Sequence, residues 1–251
     1  MQTDYLVIIP ARYASTRFPG KPLVDVGGKS MIRRVYEQVS LKNQDVYVAT
    51  DDTRIFEAVN EFNGRAVMTS PDHKTGTERC AEALKLIEKD TGKKFRIIIN
   101  VQGDEPFLQP EQLDTLKLCF NDPKTQIATL IKPINDTEII FDENKTKVII
   151  NNSKEAIYFS RTPLPFVKGY LPGEWGSRHK FYLHIGLYAY KRDILLSIAR
   201  LEQTPLEKAE SLEQLRWIEN GYRIKVEFTQ YNSIGIDTPG DLDKIKKLGL
   251  I

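Results

Sequence analysis

A chain of 251 residues, 41% of them hydrophobic, is long enough to bury a sizeable core as one large domain or one domain with a smaller lobe. Its 36 Lys and Arg against 34 Asp and Glu leave a formal net charge of +2, so no nucleic-acid partner and no membrane surface is called for. No apolar run approaches the roughly 20 residues needed to span a bilayer, no secretory leader precedes the first strand, and both cysteines, Cys80 and Cys119, fall on apolar faces of predicted helices, so the expected location is the reducing cytoplasm.

The apolar run 5–9 predicts a buried strand that stops at Pro10 and opens into a loop carrying Arg12, Arg17 and Lys21. Ser15 and Thr16 add hydroxyls, Gly20 permits close backbone approach, and Pro19 and Pro22 stiffen the loop. Three cations with hydroxyls at a strand exit suit a polyphosphate. Ser30 then caps a helix through Met31, Ile32, Val35 and Val39. Residues 46–49 form a strand ending at Thr50-Asp51-Asp52, and a helix through Ile55, Phe56, Val59 and Phe62 stops at Gly64. A short strand at 66–68 precedes a helix expected from Thr77 to near Gly92, and 95–101 is the most continuously apolar strand. Pro110 sits at the first position of the next helix. This alternation predicts right-handed βαβ units and a parallel sheet.

After 127–131 the pattern changes. Segments 148–150 and 156–159 predict a hairpin, 161–180 a polar loop, and 181–190 a long aromatic strand. Helices are expected at 193–201 and 206–220 and a strand at 224–228, and Thr238-Pro239-Gly240-Asp241 caps a last helix. The fold class is therefore α/β: a mostly parallel, doubly wound sheet with a smaller hairpin-containing region. The expected organisation is a single domain over 1–251, with a nucleotide-binding half at 1–131, an insertion at 132–222 and a return to the main sheet at 223–251.

Ligands of open parallel sheets sit beyond the carboxyl ends of the strands. Four clusters lie there: Pro10 to Lys21, Thr50-Asp51-Asp52, Gln102-Gly103-Asp104-Glu105-Pro106 and Gly235-Ile236-Asp237. Asp104 leaves the central strand beside a glycine, a setting for Mg²⁺ shared with substrate phosphates. Asp237 has the same setting, or is an ordinary turn aspartate. Thr75-Gly76-Thr77-Glu78-Arg79 opens a helix whose free N–H groups suit a carbonyl-bearing base or an anion, or is only a cap. In the second half, Tyr158-Phe159-Ser160-Arg161 puts an arginine at a strand end. His184, Gly186 and Tyr188 share one strand face, and Glu213, Gln214 and Arg216 share a helix. Together these suit a polyhydroxylated acid; singly, each also fits a structural role, with His184 a satisfied core histidine. His73, His179 and His184 lack zinc-type spacing, Gly28-Lys29-Ser30 lacks the first glycine of a Walker A loop, and no dinucleotide fingerprint occurs.

The stretch Ile9-Pro10-Ala11-Arg12-Tyr13-Ala14-Ser15-Thr16-Arg17-Phe18-Pro19-Gly20-Lys21-Pro22-Leu23 resembles the signature of the 3-deoxy-manno-octulosonate (Kdo) cytidylyltransferases. Motifs at 75–79, 100–106, 158–161, 184–188, 212–216 and 235–239 follow in the same order. The first motif is shared in outline with the sialic acid cytidylyltransferases; Leu212-Glu213-Gln214-Leu215-Arg216 points to the Kdo branch. The resemblance implies a fold of the nucleotide-diphospho-sugar transferase type, whose second half serves for sugar binding, dimerisation and a lid. It implies CTP and Kdo as substrates, Mg²⁺ as cofactor, a homodimer, and a product that feeds lipopolysaccharide synthesis. Arg12, Lys21, Asp104 and Asp237 would then be catalytic, with Arg12 and Lys21 on the phosphates, Arg17 helping, and the two aspartates on the metal. The nucleotide site would comprise Pro10, Ala11, Ser15, Thr16, Asp51, Thr75, Gly76 and Thr77 as well. Arg79, Gln102, Tyr158, Arg161, His184, Gly186, Tyr188, Glu213 and Gln214 would surround the sugar acid. Phe18 and Thr75 stand where the family usually has Leu and Ser, and Leu183 where many members have a cation. The alternatives are a sialic acid or 8-amino Kdo cytidylyltransferase, and a non-catalytic nucleotide-sugar binding module.

Overall fold

The computed structural model describes residues 2–14, 18–232 and 234–251. In chain order it contains β1 (Gln2–Ala11), α1 (Met31–Ser40), β2 (Val46–Thr50), α2 (Thr53–Glu61), β3 (Ala66–Met68), α3 (Gly76–Thr91), β4 (Lys94–Asn100) and α4 (Pro110–Leu118). There follow β5 (Ile127–Ile134), α5 (Thr137–Phe141), β6 (Lys147–Ile150), β7 (Ala156–Ser160), α6 (Trp175–Arg178) and β8 (Phe181–Lys191). The chain ends with α7 (Arg192–Ile198), α8 (Pro205–Glu210), α9 (Gln214–Glu219), β9 (Ile224–Phe228) and α10 (Pro239–Lys247). One compact unit comprises Met1–Leu113, Lys191–Ala199 and Ser233–Ile251; the other comprises Asp114–Tyr190 and Arg200–Asn232. These breaks differ from those expected after residues 131 and 222. β5, expected with the first half, pairs with β8 and β9 and so belongs to the second unit.

In the first unit the strands run parallel in the order β3-β2-β1-β4. Leu6 to Ile9 on β1 and Ile97 to Ile99 on β4 have no exposed surface, as central strands covered on both faces require. α1 buries Met31, Ile32, Val35 and Val39, the stripe its spacing predicts. β1 runs past its expected end at Pro10. Val101 N–H donates to the Ile8 carbonyl at 3.0 Å, so Ile8 faces β4, and Pro10 shares that orientation. The β4 ladder ends at Ile8 and Asn100, whereas the β2 ladder continues through Ala11 and Thr50. The N–H that proline lacks therefore falls where no ladder partner remains. α3 begins at Gly76 rather than Thr77, because Thr75 is the cap: its hydroxyl accepts from Glu78 N–H at 3.2 Å.

In the second unit β5 pairs with β8 antiparallel and with β9 parallel, and β6 and β7 form the expected hairpin. The single helix expected over 206–220 is two helices, α8 and α9. Ser211 between them is left-handed, with φ of 52°, and ends α8 without a glycine to announce it. Across this break the Arg216 guanidinium grips the Glu207 carboxylate bidentately at 2.7 and 2.6 Å and also donates to the Leu201 carbonyl. Arg216 is therefore half of a buried ion pair that ties α9 to α8.

Candidate active site

The β1 exit delivers the first side chains. Arg12 is exposed, and the Tyr13 ring stacks under the Arg54 guanidinium at 3.3 Å. Gly20 has φ of 71° and donates to the Tyr13 carbonyl; a Cβ there would lie 3.0 Å from the Tyr13 ring, so both backbone and space demand glycine. Phe18 packs against a cluster of Val26, Met31, Ile236 and Ile245, which the larger ring helps to fill. Ser15, Thr16 and Arg17 lie outside the described residues.

The turn at Lys21–Leu23 aims Lys21 inward. Its Nζ donates to Asp104 Oδ2 at 2.6 Å and to Asp237 Oδ1 at 3.0 Å. Burial pulls the Lys21 pKa down, but the charges and hydrogen bonds of Asp104 and Asp237 outweigh it and hold the ammonium above its ordinary value. Asp104 is brought there by the β4 exit, where Gly103 passes so close that a Cβ would come within 3.1 Å of the Pro10 carbonyl oxygen. Asp237 is pinned to the same place because Ile236 N–H donates to the Asp104 carbonyl at 3.0 Å. The expected capping box follows: Thr238 Oγ1 accepts from Asp241 N–H, and Asp241 Oδ2 accepts from Thr238 N–H at 3.0 Å. Asp237 is thus no mere turn residue; its carboxylate faces Asp104 across one cation.

These groups border a cavity of about 250 Å³. Of the residues expected at the site, Pro10, Ala11, Arg12, Lys21, Thr75, Gly76, Arg79, Gln102, Asp104 and Asp237 line it. The N-terminus of α3 adds the positive end of a 16-residue helix. Thr77 is 1% exposed within α3, and Asp51 holds Arg79 through an ion pair at 2.9 Å; neither is among the described lining residues. Sequence reasoning missed His73 and Lys74, which do line the cavity. Glu82 receives both the His73 ring and Ser70 N–H, while Glu78 receives Lys74 N–H at 2.8 Å. Burial pushes the Glu82 carboxyl up, yet these donors hold it below the usual range. The signal was a histidine two residues before a helix cap, with glutamates one turn apart on that helix.

The other expected sugar ligands lie in the second unit and form their own arrangement. β8 bulges opposite Thr129, leaving Gly186 in the irregular stretch. The Thr129 hydroxyl meets His184 Nε2 at 3.0 Å, and the His184 ring lies 5.0 Å from Phe159 and 5.3 Å from Tyr188. His184 is half-buried with its ring held by these partners, and burial pushes its pKa down to about 3. Its ordinary value is 6.5, so the unfolded chain binds the extra proton between those values. Its contribution to stability is therefore complete above pH 6.5 and is lost as pH falls toward 3. Replacement by Asn should flatten the unfolding free energy across that window in denaturant titrations. Tyr188 is buried against Trp217 at 5.0 Å, and burial raises its phenol pKa well above the ordinary value. Arg161 donates to the carbonyls of Glu210 and Glu143, and burial and Glu210 raise the Tyr158 phenol. Gln214 is buried at the start of α9, and Glu213 precedes it as the cap.

Residues 6–225 match the cytidylyltransferase family model. The chain is 54% identical over 244 residues to a 3-deoxy-manno-octulosonate cytidylyltransferase of Parabacteroides distasonis, covering 96% of each. It is 54% identical over 241 residues to that of Bacteroides thetaiotaomicron, covering 95% of each. A solved structure of CMP:2-keto-3-deoxy-manno-octonic acid synthetase complexed with CTP superposes with a TM-score of 0.89 at 38% identity, over 99% of both chains. Among the described residues no helix is long and apolar enough to cross a membrane. Motifs in family order, a cation bridging two strand-exit carboxylates and identity along nearly the whole length lead to one conclusion: the chain belongs to the 3-deoxy-manno-octulosonate cytidylyltransferase family.

Proposed function

We propose that this chain transfers the cytidylyl group of CTP to Kdo, releasing pyrophosphate and forming CMP-Kdo for lipopolysaccharide biosynthesis. The observation that carries the reading is the convergence of Lys21, Asp104 and Asp237 on the cavity that Arg12 and the α3 N-terminus also border. Nucleotidyl transfer depends on positioning and charge stabilisation more than on covalent catalysis. The sugar hydroxyl attacks the α-phosphorus in line, so two anionic substrates must meet. A unit-charge pair at 4 Å is worth about 1 kcal/mol in water and about 4 kcal/mol at an effective dielectric of 20, so Arg12 and Lys21 gain force as the substrates exclude water. Arg12 and Lys21 hold the phosphates, and Arg79 and Gln102 face the sugar acid.

Mg²⁺ fits the donor set. Asp104 and Asp237 are hard oxygen ligands that already converge on one cation. Asp104 and Asp237 would hold such an ion, which binds one or two carboxylates together with substrate phosphates. The ion supplies charge neutralisation at the triphosphate. Tyr158, Arg161, His184, Gly186, Tyr188, Glu213 and Gln214 belong to the sugar side by family likeness, although Arg161 and His184 already have protein partners. We also propose a cytoplasmic homodimer joined through its second half; Ile157, Phe166 and Leu171 there, the last two 72% and 73% exposed, are surface of the kind a subunit interface covers.

The test is pyrophosphate release from CTP and Kdo with and without Mg²⁺. Release should require both Kdo and the metal and fall sharply with UTP or ATP. Asp237→Asn should lower kcat by about 10²-fold or more. Turnover of sialic acid or 8-amino Kdo in preference to Kdo would move the chain to a neighbouring branch. CTP binding without turnover would make it a binding module.

A further inference from the structure

Arg79 is held from behind by residues that do not line the cavity it faces. Its Nη2 donates to Asp51 Oδ2 at 2.9 Å, and its Nη1 donates to Thr69 Oγ1 at 2.6 Å. The Thr69 hydroxyl passes its own hydrogen to the Thr50 carbonyl at 3.1 Å, and Thr69 N–H donates to the same oxygen at 2.8 Å. Thr50 ends β2, Asp51 follows it, Thr69 follows β3, and Arg79 lies in the first turns of α3. Three elements thus fix one guanidinium, which is 3% exposed yet borders the cavity.

A guanidinium presents five N–H donors in one plane, and two of them are committed here to fixed acceptors. Fixing two donors sets the plane, and the plane decides whether the other donors can meet a carboxylate in a fork. Asp51 also offsets the charge of a buried arginine, so the group can wait in the wall without a substrate anion. We infer that Asp51 and Thr69 are positioning residues that orient Arg79 toward the carboxylate of the sugar acid. Asp51 therefore acts through Arg79 rather than on the nucleotide. This rests on the reading of Arg79 as a sugar-side group given above.

The experiment compares Asp51→Ala, Asp51→Asn, Thr69→Val and Arg79→Met by steady-state kinetics, varying Kdo and CTP separately, with thermal melts of each. Asp51→Ala should raise KM for Kdo by about tenfold to a hundredfold, since a misplacement of about 1 Å is worth that much, while KM for CTP stays near wild type. Asp51→Asn keeps an acceptor oxygen beside Nη2 and should restore KM for Kdo to within a few fold. Thr69→Val should act in the same direction as Asp51→Ala, and Asp51→Ala should add nothing in an Arg79→Met background. The inference is overturned if Asp51→Ala and Asp51→Asn both raise KM for CTP instead, or if Asp51→Ala lowers the melting temperature alone and leaves both KM values unchanged. If Arg79→Met leaves KM for Kdo unchanged while Asp51→Ala raises it, the reading of Arg79 itself has failed.

Discussion

Lys21→Met should lower kcat/KM for CMP-Kdo formation by about 10³-fold while the protein stays folded, because one side chain serves two needs in the proposed site. It is the half-buried cation between Asp104 and Asp237, at 2.6 and 3.0 Å, and it borders the cavity assigned to the phosphates. Removing a preorganised charge from a water-poor phosphoryl site costs about 10²–10³-fold or more in rate. Lys21→Arg should recover little, since a planar fork cannot replace a point charge that meets two carboxylates from one atom. Circular dichroism together with single-turnover rates would check this. A variant that turned over at more than a tenth of the wild-type rate would remove Lys21 from the catalytic set.

Glu88→Ala should cost about 3 kcal/mol of stability, or roughly 6–12 °C in melting temperature for a chain of this size. Glu88 is 3% exposed on its side chain and receives Arg192 bidentately at 2.9 and 2.8 Å, Lys94 at 2.9 Å and Phe95 N–H at 3.4 Å. Burial pushes its carboxyl up, but the Arg192, Lys94 and Phe95 donors outweigh it and hold the pKa at about 2 against an ordinary 4.5. Between those values the unfolded chain binds the proton and the folded one does not. Stability is therefore complete above pH 4.5 and is lost as pH falls through it toward 2, an effect worth about 3 kcal/mol in full. Glu88→Gln should abolish that acid-dependent part in urea titrations at pH 5 and pH 3. An unchanged pH slope would show that the pair contributes nothing to acid sensitivity.

The strands and helices of the first unit were legible because each leaves a periodic trace. The exits that matter were legible because ligands of a parallel sheet gather at its carboxyl ends. What the chain could not disclose was convergence. Lys21 reaches Asp104 and Asp237 across 83 and 216 positions, and those meetings depend on strand order and on one backbone bond from Ile236 to Asp104. Asp51 read as a ligand because it ends a strand, but its carboxylate turns to Arg79, a choice made by the neighbouring helix. His184 sat on the expected strand face, yet the bulge opposite Thr129 gave it a protein partner. The break at Ser211 left no mark because its left-handed backbone is carried by a serine rather than a glycine.

α3 has one end at the cavity, where Thr75 caps it, and the other locked by Glu88 to Arg192 on α7. Cap and lock lie 13 positions apart, an arm of about 20 Å. A tilt of about 3° at the far end would swing the cap by about 1 Å, enough to misplace a substrate group by an amount worth about 10²-fold in rate. Loss of that distant ion pair by mutation should therefore register in the rate as well as in the melting temperature. Because Glu88 stays ionised in the folded protein down to about pH 2, the arm keeps its anchor while stability falls below pH 4.5, so the melting temperature should decline with acid before the rate per folded molecule does.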